Sequence, residues 1–180
     1  MKIKFKNELI KSMEYLSKKK DTIFLGQSVS YSGNAIFNTL TKVKKNKKIE
    51  LPVAEDMQMG MSTGLAMNGF VPITCFPRFD FLILAFNQLV NHLDKMRSMT
   101  NNKFKPKVII RTSIGSIKPL NGGVQHTQNY TEIFKKTLTE VKVVYLKDPK
   151  TIFANFKKAY NDKNNFSYLF IENGDFYNEK

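Results

Sequence analysis

The 180-residue chain is poor in cysteine, arginine and histidine, and it has no long unbroken apolar run. The single cysteine, Cys75, excludes an intramolecular disulfide and a metal site built on a cysteine cluster, and it suits a reducing compartment. No apolar stretch approaches the roughly 20 residues needed to cross a bilayer. The N-terminus MKIKFKNELIKSMEYL is basic but lacks the continuous apolar core of a secretory signal. A cytoplasmic protein without a membrane span is the expectation. Zinc-ligand spacing, a P-loop and a G-x-G-x-x-G fingerprint are also missing, so no metal site is expected on this chain.

The shortage of arginine qualifies the charge. Lys and Arg number 29 against 15 Asp and Glu, a formal net charge of +14. Lysines cluster at Lys18, Lys19 and Lys20, from Lys42 to Lys48, and from Lys103 to Lys107. Arginine, however, occurs only at Arg78, Arg97 and Arg111. Specific readers of bases or phosphates usually draw on the fixed donor fork of arginine. The basic balance therefore speaks to solubility and non-specific binding. Nucleic acid is not an expected partner; a regulatory or basic nucleic-acid-binding protein is the alternative class.

What is present points to a folded protein. The hydrophobic fraction is 42%, with 15 phenylalanines, and the length suits one domain over residues 1–180. Leu9, Ile10, Met13 and Leu16 recur at helical spacing within a first helix from Phe5 to Lys19. Thr22 to Leu25 reads as a buried strand ending at Gly26, and Asn34 as a cap for a short helix through Leu40. Lys48 to Val53 is extended and broken by Pro52. A helix runs from about Met57 to Asn68 and stops at Gly69. Gly60, Ser62, Thr63, Gly64 and Ala66 give it little bulk, which predicts close packing of its backbone against another surface. Val71 to Cys75 is the next strand.

Asp80 is a candidate N-cap for one long helix reaching Met99, with Leu82, Phe86, Leu89, Leu93 and Met96 on one face. Val108 to Ile110 forms a strand ending at Arg111, followed by the polar loop TSIGSIKPLNGGVQHTQ. A helix from Tyr130 to Leu138, a strand from Val141 to Leu146, a helix from Lys150 to Tyr160 and a strand from Tyr168 to Glu172 complete the alternation. That order predicts an α/β fold: a mostly parallel sheet with helices on both faces. Loops at strand ends are then the place for chemistry.

Residue types alone leave the candidates open. Glu55 stands before a helix and could simply complement its dipole. Gln27 could close a turn, His126 could be an inert loop histidine, and His92 could be structural or on the surface. Phe76, Phe79 and Phe81 suit a core or an interface equally well.

The order of the segments carries more. LGQSVSYSGNAIF, LPVAEDMQMGMSTGLAMNGFVPI, FPRFDFLILAFNQLVNHLDKM, KVIIRTSIG and GGVQHTQ span most of residues 22–146. In that order the chain resembles the pyrimidine-binding domain of thiamine-diphosphate enzymes in the transketolase group. The similarity is greatest to the N-terminal half of the β subunit of the decarboxylating component of 2-oxo-acid dehydrogenases. The Pro-x-x-Glu turn into a small-residue helix and the Phe-Asn-Gln-Leu-Val-Asn run make the resemblance specific.

The resemblance implies roles. Glu55 would bind N1′ of the cofactor's aminopyrimidine and promote the tautomer that deprotonates the thiazolium carbon. Phe79 would stack on that ring with Phe76 beside it, and His126 would contact the substrate or the acyl-transfer partner. Gln27 would lie near the cofactor, at a position where dehydrogenase β subunits usually carry an acid; this departure weakens the dehydrogenase reading. The family holds the diphosphate and Mg2+ on a second domain with a Gly-Asp-Gly motif. Gly174-Asp175-Phe176 does not match that motif, and no C-terminal transketolase domain is expected here. The implied protein is a β-like subunit sharing thiamine diphosphate with a diphosphate-binding, α-like partner, as a heterodimer or an α2β2 tetramer. Its reaction would be transketolase-like transfer or 2-oxo-acid decarboxylation of a small carbonyl or 2-oxo-acid substrate.

Overall fold

The computed structural model describes residues 4–118 and 121–178. Its centre is a six-stranded sheet whose neighbours are all parallel. The strands are β1 (Thr22–Gly26), β2 (Lys48–Glu50), β3 (Val71–Phe76), β4 (Ile109–Ile114), β5 (Lys142–Tyr145) and β6 (Tyr168–Asn173), in the order β2-β1-β3-β4-β6-β5. Parallel strands need crossovers and bury both faces. That is why β3 and β4 are buried along their whole length, while the edge strands β2 and β5 stay half-open.

Successive residues of the inner strands feed opposite cores. Ile109 and Phe170 join Phe5, Leu9, Met13, Ile152 and Phe156 under helices α1 (Phe5–Ser17) and α6 (Pro149–Asn161). Ile110 and Leu169 join Met59, Phe79, Leu82, Leu89 and Phe134 on the other face. There lie α2 (Glu55–Met67), α3 (Phe79–Leu82), α4 (Met96–Met99) and α5 (Thr131–Thr137). The predicted alternation holds, with two corrections of extent. The strand expected to end at Arg111 continues through Thr112 and Ser113 to Ile114, because β6 pairs with it over all six residues. Asn34 accepts from Phe37 N–H at 2.8 Å, but Ile36 holds the cap position, and only a 3-10 turn follows, Phe37–Thr39.

The long helix predicted from Asp80 to Met99 is broken. Arg78 occupies the N-cap position of α3, and Asp80 caps nothing through its side chain. A 3-10 turn at Ile83–Ala85 and a π-helical stretch at Gln88–Leu93 follow before α4. The π stretch is closed by Asp94 N–H donating to the Leu89 carbonyl at 2.9 Å, and it turns Asp94 inward. There the buried carboxylate accepts from the backbone N–H of Thr139 (3.0 Å), Glu140 (2.8 Å) and Val141 (2.9 Å). It also accepts from Lys95 Nζ (2.9 Å) and Thr139 Oγ1 (2.9 Å). A π insertion shifts the helix face by one residue; here it delivers an acid to the turn entering β5.

On the opposite face Arg111 is fully buried and forms a two-pronged pair with Glu172: Nε to Oε1 at 2.7 Å and Nη2 to Oε2 at 3.0 Å. Nη2 also donates to Thr39 Oγ1, and Tyr177 donates to the Glu172 carboxylate. Burial opposes the charge on Arg111, but Glu172 outweighs it and holds the guanidinium protonated. Burial, then the Glu172 charge, pushes the Tyr177 hydroxyl well above its usual range. Arg97 crosslinks the sheet's amino-terminal side, 3.3 Å from Glu140, donating to the Asn164 carbonyl at 2.7 Å and lying over the Phe166 ring. Two of the three arginines are thus committed to the fold.

Asp94 yields a test with a defined sign. Burial alone would raise its pKa, but the bonds from Val141 N–H, Lys95, Thr139 and Glu140 outweigh that and hold it below the usual carboxylate range. Its contribution is complete above the unfolded value of about 3.9 and is lost as pH falls through the lower folded value. Asp94→Ala should cost about 3 kcal/mol in urea unfolding at pH 7. The gap to the unsubstituted protein should narrow below about pH 4.

Candidate functional site

Strand order reverses between β1 and β3, since β2 lies on one side of β1 and β3 on the other. Pockets of open α/β sheets form at such a point, beyond the carboxyl ends of the strands. The two strands approach each other closely there. Gly26, paired with Cys75, has φ +146°, and a Cβ on it would lie 2.3 Å from the Cys75 carbonyl oxygen. Only glycine closes this contact without displacing β3. Gln58 of α2 seals it, its Nε2 donating to Thr74 Oγ1 at 2.8 Å and to the Cys75 carbonyl at 3.1 Å.

That amide positions the head of α2. The inward stripe of the helix is Glu55, Gln58, Met59, Ser62 and Thr63, an i, i+3, i+4, i+7, i+8 set. Its polarity is unusual for a face against a sheet. Glu55 stands one turn before Gln58, 6% exposed, and its carboxylate has no hydrogen-bond partner among the described residues. On the outer side Met57 and Met61 are 44% and 38% exposed. A Cβ on Gly64 would meet nothing within 4 Å, and one on Gly60 only the Gln88 side chain at 3.6 Å. The close packing predicted from these glycines is therefore not made among the described residues.

A cavity of about 250 Å³ opens at the carboxyl ends of β1, β3 and β4, lined by Gln27, Ser28, Asn34, Arg78, Phe81 and His126 among others. Three local devices shape it. After β1, Ser28 holds the left-handed conformation (φ +54°), uncommon for a residue with a side chain. Glu50, the last residue of β2, holds it there, accepting from Ser28 N–H and from Ser30 N–H at 2.7 Å. After β4, Gly115 N–H donates to the His126 carbonyl at 2.9 Å and ties the long loop down. A Cβ on Gly115 would lie 2.0 Å from that oxygen. The ring of Phe81 then meets the imidazole of His126 edge-on, centroids 5.4 Å apart.

The structure brings Gln27 and His126 to one cavity, with Glu55 at the head of the neighbouring helix. It places the two other predicted residues elsewhere. Phe76 and Phe79 are fully buried, Phe79 between Tyr130 and Phe134, so in this arrangement neither shows a face to a ligand. Phe81 is the ring at the cavity. The signal was in the spacing: with Phe79 and Leu82 inward at i and i+3, a residue at i+2 points away. The site positions of Glu50, Gln58 and Arg78 were not legible in sequence, since they depend on strand neighbours far along the chain. His92 is exposed and outside the cavity.

An open parallel sheet with its cavity at the carboxyl-end switch point defines a ligand-binding domain of the α/β class. The chain belongs to the family of the transketolase pyrimidine-binding domain, whose model matches residues 9–177. It is 28% identical over 170 residues to the pyruvate dehydrogenase E1 component subunit beta of Gracilaria tenuistipitata var. liui, covering 93% of this chain and 51% of that protein. It is 25% identical over 162 residues to the 2-oxoisovalerate dehydrogenase subunit beta of Bacillus subtilis (strain 168), covering 88% and 48%. The chain thus spans about half the length of these relatives. A solved split-gene transketolase, described as an inactive beta4 tetramer, superposes with a TM-score of 0.72 over 96% of this chain and 52% of that one. At 18% identity this likeness shows a shared fold.

The tie at Gly115 can be tested directly. Gly115→Ala should cost about 1–3 kcal/mol through forced displacement of the loop. It should also shift the imidazole NMR signals of His126 while leaving those of the only other histidine, His92, in place.

Proposed function

We propose that this chain is the pyrimidine-binding, β-like half of a split thiamine-diphosphate-dependent enzyme, completed by a separate diphosphate-binding, α-like chain. The observation that carries the reading is Glu55: an acid turned inward at the head of a helix, its carboxylate without a hydrogen-bond partner among the described residues. The carboxylate is not fully enclosed and so stays open to a ligand. A protonated or donor-bearing ring nitrogen of a ligand would satisfy it.

The residues fit the pyrimidine end of the cofactor. Glu55 would hold the ring nitrogen and the proton on it, Phe81 would offer the aromatic contact, and Gln27 and His126 would line the approach. When bound, the cofactor supplies an electron sink for breaking or forming a bond next to a carbonyl. The diphosphate and Mg2+ would be held by the partner. Among the described residues there is no group of three or more His, Cys, Asp or Glu side chains able to hold a metal ion. A small carbonyl compound or 2-oxo acid is the substrate class, in keeping with the names of the relatives. No helix among the described residues is long and apolar enough to cross a membrane, and a cytoplasmic complex, heterodimer or α2β2, is the assembly we propose.

The outer face of α2 supports the partner requirement. Met57, Met61 and Gly64 form an open strip, and Leu84, 64% exposed, lies on the 3-10 turn that contacts α2. Single exposed apolar residues are ordinary, but glycines inside a helix cost about 1 kcal/mol each relative to alanine. A second chain packed on that strip would offset the cost.

Co-expression with the diphosphate-binding chain, followed by calorimetry with thiamine diphosphate and Mg2+, should show binding to the complex and none to this chain alone. Tight binding by the isolated chain would defeat the reading. Glu55→Gln should lower turnover of the complex at least ~10²-fold without dissociating it. Gly64→Ala should stabilise the isolated chain by about 0.5–1 kcal/mol, whereas Gly64→Leu should weaken assembly with the partner.

A further inference from the structure

Of the three arginines, two serve the fold: Arg97 pairs with Glu140 and Arg111 with Glu172. Arg78 is the third. Among the described residues it joins no ion pair, not even with Asp80 two positions on. Its hydrogen bond there runs from Nη1 to the adjacent Pro77 carbonyl, at a long 3.3 Å. A guanidinium carries several N–H donors in a fixed fork, so most of those on Arg78 are unused. The residue is nevertheless half-buried, in the wall of the candidate site.

Arg78 is common to two cavities. It lines the cavity of Gln27 and His126, about 250 Å³, and a smaller one of about 110 Å³ with Lys6, Asn38, Ser116 and Tyr177. A Cβ on Gly115 would lie 3.6 Å from Arg78 Nε, so the backbone that ties His126 down also borders the guanidinium. No acid lines either cavity, and Asp80 is not among the lining residues. Lys6 adds a second cation to the smaller cavity and is likewise in no ion pair among the described residues. Glu172, to which the Tyr177 hydroxyl donates, is already held by Arg111. A concave wall charged with one sign concentrates counter-ions.

We propose that Arg78 is the anion-binding residue of this site: its guanidinium takes a compact oxyanion of the substrate, a carboxylate or a phosphate group, with Lys6 as a second cation for a group that extends into the smaller cavity. The planar fork matches either group through paired hydrogen bonds, whereas the lysine clusters offer point charges without that geometry. The larger cavity is below the size of most drug-like ligand sites, which suits a small anionic carbonyl compound. Arg78 would then select charged substrates over neutral ones. That role in specificity rests on the function proposed above; anion binding by Arg78 does not.

With only three arginines in the chain, 15N–1H NMR of their Nε–Hε groups in the full-length protein reads the site, and Arg78→Lys assigns the Arg78 signal by its loss. Pyruvate and inorganic phosphate are titrated separately, each against sodium chloride at equal ionic strength. The Arg78 signal should move saturably with at least one of them while those of Arg97 and Arg111 stay in place. Saturation by pyruvate marks a carboxylate site, and saturation by phosphate a phosphoryl site. A shift that chloride reproduces, or no saturable shift with either anion, overturns the proposal. In the co-expressed complex, Arg78→Gln should raise KM for pyruvate or a phosphorylated ketose, whichever is turned over, at least ~10-fold. The change in kcat should be smaller, thiamine-diphosphate affinity should hold, and Arg78→Lys should restore part of the loss. An unchanged KM also overturns the proposal. If Arg78→Gln does not assemble, or the complex turns over neither compound, the NMR titration of the unsubstituted chain decides alone. Saturable binding in a chain whose complex binds no cofactor would keep the anion site and remove the enzyme reading. Cofactor binding by the complex with no anion response at Arg78 would do the reverse.

Discussion

The candidate site depends on one close contact, the approach of Gly26 to the Cys75 carbonyl, sealed by the side-chain amide of Gln58. The contact brings two strands together where the strand order reverses. The amide then sets the height and rotation of α2, and with them the place of Glu55. A side chain at residue 26 would push β3 away and release Gln58 from both its acceptors. Burial also pushes the Cys75 thiol up to about 11, so this residue is a small inert filler of the contact rather than a nucleophile.

Around that contact, polar side chains do the positioning while apolar ones supply bulk. Glu50 holds a left-handed serine, Asp94 gathers the N–H groups before β5, and Arg111 with Glu172 joins two strands to a 3-10 turn and to Tyr177. Buried ion pairs are not strong stabilisers when set against apolar replacements. Their effect here is to select one arrangement: each has several directional partners drawn from distant parts of the chain, and a shifted register would leave charges unpaired.

The legibility of these features in sequence followed their range. Alternating apolar runs and helical spacings predicted the order of elements, because periodicity is a local property. The same local reading made Asp80 a cap and residues 80–99 one helix. It missed the π turn because the carboxylate that benefits from it, Asp94, binds amides 45 to 47 residues away. The resemblance implied that Phe79 stacks on a ligand ring, yet Tyr130 and Phe134 cover it. Phe81 faces the cavity instead, since a helical turn separates residues i and i+2 by more than a right angle.

By itself the sequence determined the α/β class, the parallel sheet, the family resemblance and the candidacy of Glu55, Gln27 and His126. These follow from patterns carried by neighbouring residues. Only the tertiary structure decided that Glu55 turns inward at the head of α2 with no bond to its carboxylate among the described residues, and that Phe81 rather than Phe79 meets His126. Those facts arise where β1, β3 and β4 end together, and the chain must fold before such ends can meet.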